Sequence, residues 1–129
     1  MSRLLLVLCC TPLLFCKSLD QRITLKKDQT FSGTLQLQNF KKPLSVRWTL
    51  YKDKGLVVHL HFNQFPYQFI LYKDFQRNSF RKEIFKEGQL HSTDKTPLFF
   101  LITFKNFDSK EESATLHVRA SKKLLWLPN

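Results

Sequence analysis

The chain is poor in the residues that loosen or staple a backbone. Three glycines and five prolines occur in 129 residues, so no flexible linker separates a second domain, and the length fits a single one. The three cysteines, Cys9, Cys10 and Cys16, all fall near the start. The rest therefore has no thiol for a disulfide or a thiolate metal site. No Asn-x-Ser/Thr triplet is present, and without one there is no acceptor for an N-linked glycan. Acidic residues are few, ten Asp and Glu, and most lie in loop-like stretches such as "DSKEES". Glycoside hydrolysis needs two carboxylates facing each other across a cleft, and no such pair can be picked out. A nucleophile elbow and a phosphate-cradling glycine loop are missing too. The expectation is a non-catalytic chain with no cofactor.

Apolar runs are also rare beyond the first segment, "MSRLLLVLCCTPLLFCKS". This segment has a basic start at Arg3, an apolar run from Leu4 to Phe15, and a small-x-small step from Cys16 to Ser18. Those are the parts of a cleavable secretory signal, with cleavage expected after Ser18. The run is too short to span a bilayer, and Phe15 is too large for a lipoprotein signal at Cys16. The expected domain is therefore 19–129, secreted into an oxidising compartment and held together by core burial alone.

What the chain has in excess is positive charge and phenylalanine. The 21 Lys and Arg give a formal +11, which is still +9 without Arg3 and Lys17. Such an excess favours anionic partners. The lysines, however, come in scattered pairs (Lys26-Lys27, Lys41-Lys42, Lys122-Lys123) and not in one tract, as on solvated turns and protected sheet edges. No nucleic-acid partner is expected from them. Thirteen phenylalanines supply the bulk of a core.

Short segments rich in Phe, Val, Leu, Thr and Tyr recur between polar breaks such as "NFKKP" and "YKDKG". Strands are predicted near 29–38, 44–51, 55–62, 67–72, 80–85, 97–105, 113–119 and 124–127. Asp53-Lys54-Gly55 is the clearest hairpin signal. Alternation of apolar and polar positions, as in Phe31 to Gln38 and Thr115 to Arg119, is the mark of sheets buried on one face. "PLFFLITF" is apolar on both sides and predicts a central strand covered twice. The pattern predicts an all-β fold, a two-sheet antiparallel sandwich.

One stretch, "LVVHLHFNQFPY" (56–67), carries a row of polar groups. Leu56, Val58, Leu60 and Phe62 share one side of a strand, and Val57, His59, His61 and Asn63 share the other. Ring nitrogens and an amide both donate and accept hydrogen bonds, so this face reads as a binding surface or as a solvated one. His59 and His61 could open a zinc site with His91 or His117 as a third ligand, but no tight His/Cys/Asp cluster supports it. Trp48 and Trp126 are expected in the core or at an edge.

The run "LKKDQTFSGTLQLQNFKKPLSVRWTLYKDKGLVVHLHFN", with "RNSF" (77–80), "RKEIF" (81–85) and the closing "SATLHVRASKKLLWLPN", resembles the galectins, the β-galactoside-binding lectins. The resemblance covers most of residues 22–127 and implies a jelly-roll sandwich of the galectin or concanavalin kind. It implies that His61 and Asn63 bond the axial hydroxyl of galactose, that Asn78 bonds a neighbouring hydroxyl, and that Glu83 orients a partner or a second sugar. Phe65 stands where the family has an arginine, and Phe80 is the aromatic nearest to the family's stacking tryptophan. The resemblance thus points to a secreted carbohydrate-binding protein for galactose-containing glycans or glycoproteins, with homodimerisation as a route to multivalency. The alternative is a module of the same fold that has lost galactosides and binds a protein or an anionic polymer. An immunoglobulin-like domain fits the strand count but not the "HFN…RNSF" pair.

Overall fold

Each short apolar segment of the chain becomes a strand, and the strands divide into two antiparallel sheets. The computed structural model describes residues 17–73, 76–84 and 97–129. Its strands are β1 (Asp20–Lys26), β2 (Phe31–Leu37), β3 (Phe40–Lys52), β4 (Gly55–Phe62), β5 (Phe65–Tyr72), β6 (Ser79–Ile84), β7 (Leu98–Asp108), β8 (Ser113–Ala120) and β9 (Leu125–Pro128). One sheet runs β1-β8-β7-β6 and the other β5-β4-β3-β2-β9. They pack as the sandwich that the alternation predicts. The core between them includes Leu35, Val46, Leu60, Phe100, Ile102 and Leu116, all 0–1 % exposed. Burying such side chains stabilises the fold by about 1.5–3 kcal/mol each. No helix among the described residues is long and apolar enough to cross a membrane.

Turn chemistry sets the hairpins. Asp53 and Lys54 both take positive φ (52° and 65°) between the paired ends Lys52 and Gly55. Mirror-image turns of this kind match the right-handed twist of the strands they join. Gly55 lies just past the turn, as the first residue of β4. Its freedom is used for space: a Cβ there would sit 2.9 Å from the Tyr72 ring. Gly33 is tighter, since a Cβ would lie 2.4 Å from Trp126, whose indole stacks on Phe31 at 5.3 Å.

Strand β1 has no counterpart in the strands predicted from sequence. Only Ile23 and Leu25 of its seven residues are buried, so an edge strand with two core contacts carries too weak a pattern to read. Strand β7 is central in its sheet, as predicted, but covered on one side only. Leu98, Phe100, Ile102 and Phe104 are buried, while Phe99 and Leu101 are half-buried on the outer side. Both tryptophans are in the core, Trp48 at 2 % and Trp126 at 5 % exposure. Trp48 donates its indole N–H to the Leu25 carbonyl at 2.8 Å.

Two bulges decide one end of the sandwich. Register shifts occur between Trp48 and Leu50 on β3 and between Phe104 and Asn106 on β7. An extra residue reverses which parity faces the core. Tyr51 and Phe107 therefore turn inward and stack at 3.9 Å. The N-terminal side is tied in nearby strands: Leu19 is fully buried, its carbonyl accepts from Ala120 N–H, and the Lys17 carbonyl accepts from Trp126 N–H. Cleavage after Ser18 would keep the first bond and remove the second.

Candidate binding face on the five-stranded sheet

Strand β4 delivers His59 and His61 to the outer side because Leu56, Val58, Leu60 and Phe62 fill the inner one. His61 is exposed and His59 half-buried. Asn63, however, does not continue that face. It and Gln64 take φ of 50° and 71°, so the chain reverses there into β5, and Asn63 donates its N–H to the Pro43 carbonyl at 2.9 Å. Asparagine tolerates the left-handed conformation that such a turn needs. His61 and Asn63 stay neighbours at the end of the β4–β5 hairpin.

Asn78 and Glu83 lie elsewhere. Asn78 precedes β6, and its carbonyl accepts from Phe104 N–H on β7 at 2.8 Å. Glu83 is exposed on the outer side of β6, across from Phe99. Phe80 points inward and stacks on Phe69 at 4.1 Å. Of the four residues named by the galectin resemblance, His61 is on β4 and Glu83 on β6, in different sheets, while Asn63 and Asn78 lie in connections just outside those strands. Of the zinc alternative, His117 is on β8 and bonds Asp20 at 2.6 Å. His91 and the cysteines lie outside the described residues, and among the described residues no three His, Cys, Asp or Glu are grouped to hold a metal.

What does converge around His59 and His61 comes from the neighbouring strands. Register places Arg47, His59 and Gln68 in one row, and Ser45, His61 and Pro66 in the next. A third row, Leu50, Val57 and Ile70, is apolar, with Leu50 50 % and Ile70 48 % exposed. Ser45 and Arg47 alternate with Leu44, Val46 and Trp48, so their side of β3 was legible in the sequence. Thr49 was not legible, because it sits in the bulge. That position lets Thr49 share a hydrogen bond of 2.9 Å with His59 Nε2.

The polar rows are held from behind by the β1–β2 loop. Asp28, at φ 64°, donates its N–H to the Trp48 carbonyl and reaches the Arg47 guanidinium at 3.4 Å. Burial pushes the His59 pKa below the ordinary histidine value. Electrostatic repulsion from Arg47, and from His61 to a lesser degree, lowers it further, and Asp28 opposes them. His59 is therefore a neutral ring at neutral pH, with one donor and one acceptor nitrogen. Beyond Thr49 the face runs into a cleft of about 290 Å³ between the two bulges, lined by Lys27, Tyr51, Phe107, Ser109 and Glu112 among others.

The outer side of the four-stranded sheet is built differently. Arg22, Arg81 and Arg119 project there from three strands. Arg81 lies over the Phe99 ring at 4.3 Å, and Asp20 is taken up by His117.

Comparison of the chain with family models, curated proteins and solved structures returns no match.

Proposed function

We propose that this chain is a secreted, non-catalytic carbohydrate-binding module, and that a glycan lies on the outer face of the five-stranded sheet. The observation that carries this reading is the row of hydrogen-bonding side chains Arg47, His59 and Gln68 beside the apolar row of exposed Leu50, half-buried Val57 and exposed Ile70. A pyranose presents hydroxyls on its rim and C–H groups on its faces, so it needs both kinds of surface side by side. With Nε2 bonded to Thr49, His59 keeps its other ring nitrogen for a hydroxyl, and the amide of Gln68 both donates and accepts. The galectin resemblance supports a sugar but not a specific galactoside, because Glu83 belongs to the other sheet and Asn78 to the connection just before its strand.

Glycan-array binding of the full chain, repeated with His59→Ala and Arg47→Ala, tests the reading. Sugar-competable binding weakened about tenfold or more in both variants is the expected result. Array binding weakened in neither would remove the proposal. If lactose competes, the galactoside form of the reading holds as well.

A second reading, an anionic-polymer binder without sugar recognition, is favoured by one observation: three outward arginines on the four-stranded sheet. Guanidinium groups fit sulfate and carboxylate oxygens as planar forks. This form of binding weakens steeply with salt and ignores neutral sugars.

A further inference from the structure

Among the described residues the sandwich has four edge strands, β1 and β6 on one sheet and β5 and β9 on the other. An edge exposes unpaired backbone groups and invites another strand, and natural sheets blunt their edges with charge, brevity or proline. Strand β1 (DQRITLK) carries three charged residues and β6 (SFRKEI) three more. Strand β9 has four residues, ends in Pro128, and is bridged on its other side by Lys17. Strand β5 (FPYQFILY) is eight residues long with no charge at all.

The turn at Asn63 and Gln64 fixes which backbone groups of β5 are open. In a two-residue hairpin the residues flanking the turn, here Phe62 and Phe65, form a hydrogen-bonded pair, and every second pair after it does too. Phe65, Tyr67, Phe69 and Leu71 thus face β4, while Pro66, Gln68, Ile70 and Tyr72 direct their backbone groups to the open edge. Pro66 has no N–H to offer there, and Tyr72 gives its N–H to the Arg77 carbonyl at 3.0 Å. Between those two stops lie Gln68 and Ile70, which no strand pairs with on that side among the described residues. The open window is short and symmetric about Phe69.

We propose that the β5 edge is the seam of a twofold dimer with a second copy of this chain, joining two five-stranded sheets into one. Antiparallel pairing about Phe69 sets Gln68 against Ile70 of the second copy, and Ile70 against its Gln68. Each pair exchanges its backbone bonds. A copy fits for two reasons. Its own open window has the same length and the same two stops, and a seam without charge lets two chains of formal +11 meet where neither repels the other locally. An acidic partner has no cation on β5 to meet. Of the basic side chains on β6, Arg81 lies over Phe99, and Lys82 reaches β5 only on the inner side of the sheet, over the Tyr67 ring at 4.5 Å, away from the outward Gln68 and Ile70 side chains. Side by side, the two copies present their polar rows on one continuous face. The proposal does not depend on what ligand that face takes.

Sedimentation of the full chain over a concentration series, without ligand, tests it together with amide hydrogen exchange. The expected result is a concentration-dependent dimer, with the Gln68 and Ile70 amides protected in the dimer and fast in the monomer. Ile70→Lys and Gln68→Lys place a charge on an outward position of the seam and should each leave a folded monomer with an unchanged circular dichroism spectrum. A chain that is monomeric up to millimolar concentration overturns the proposal. So does a dimer that survives both substitutions, since it must use another surface.

Discussion

The two sheets are alike on their inner sides and unlike on their outer ones. Inside, both offer close-packed Leu, Val, Ile and Phe. Outside, the five-stranded sheet gathers amide, hydroxyl and imidazole groups beside an aliphatic row. The four-stranded sheet sets three guanidinium groups among Thr24, Thr115 and His117, with Arg81 over the Phe99 ring. The inner sides are constrained by one shared requirement, exclusion of water at high packing density. The outer sides are free of it, so a difference between them reports what each face meets. Neutral hydrogen-bonding groups suit hydroxyls, and dispersed arginines suit anionic oxygens.

Substitutions on the inner sides of the two sheets should have the largest effects. Phe100→Ala on β7 and Leu60→Ala on β4 should each cost several kcal/mol, about 2–5 for residues of this size in a core, measured by chemical denaturation. Unequal costs would mean that one sheet forms the better-packed half. Next in size is Gly33→Ala, where a Cβ 2.4 Å from Trp126 and 2.7 Å from the Leu127 carbonyl forces β2 and β9 apart. About 1–3 kcal/mol is expected for overpacking of this kind, with a fall in Tm that Gly55→Ala, set against a flexible tyrosine ring, reproduces only in part.

Binding should then separate the outer sides. Arg47→Ala should weaken glycan binding about tenfold, the scale of one lost charge-assisted hydrogen bond, while Arg119→Ala leaves it unchanged. Titration calorimetry at two salt concentrations checks both. If Arg119→Ala has the larger effect and the smaller salt slope, the active face is the four-stranded one.

The smallest effect is on pH dependence. Because burial and the neighbouring Arg47 charge hold the His59 pKa below the ordinary value, the unfolded chain takes up that proton first as pH falls. Stability contributed by neutral His59 is therefore present above the ordinary histidine range and is lost as pH drops through it. His59→Gln should flatten the acid side of a Tm-against-pH curve. An unchanged slope would show that His59 is not the group responsible.

Legibility from sequence followed the number of contacts each element makes. Strands β2, β3, β4 and β8 alternate over long stretches with an apolar inner side, and β7 is a continuous apolar run, so each is legible in the sequence. Strand β1 buries two side chains and is not. His59 and His61 were placed on the correct side of β4 because period-2 alternation is a local property of extended chain. Asn63 was placed one residue too far along that face. The choice between continuing a strand and reversing it at Asn63-Gln64 depends on backbone dihedrals, for which no glycine gave notice. Thr49 was hidden by the bulge, since an inserted residue breaks the parity on which the reading rests.

By itself, then, the sequence determined the class of fold, the apolar sides of most strands, and the charge of the surface. These follow from local alternation and composition. Strand order in space, not local pattern, sets Glu83 on a different sheet from His61. It also brings Arg47, Thr49 and Gln68 around His59, and leaves β5 as an edge without charge. Those are matters of strand order and register between segments far apart in the chain, and no local pattern carries them.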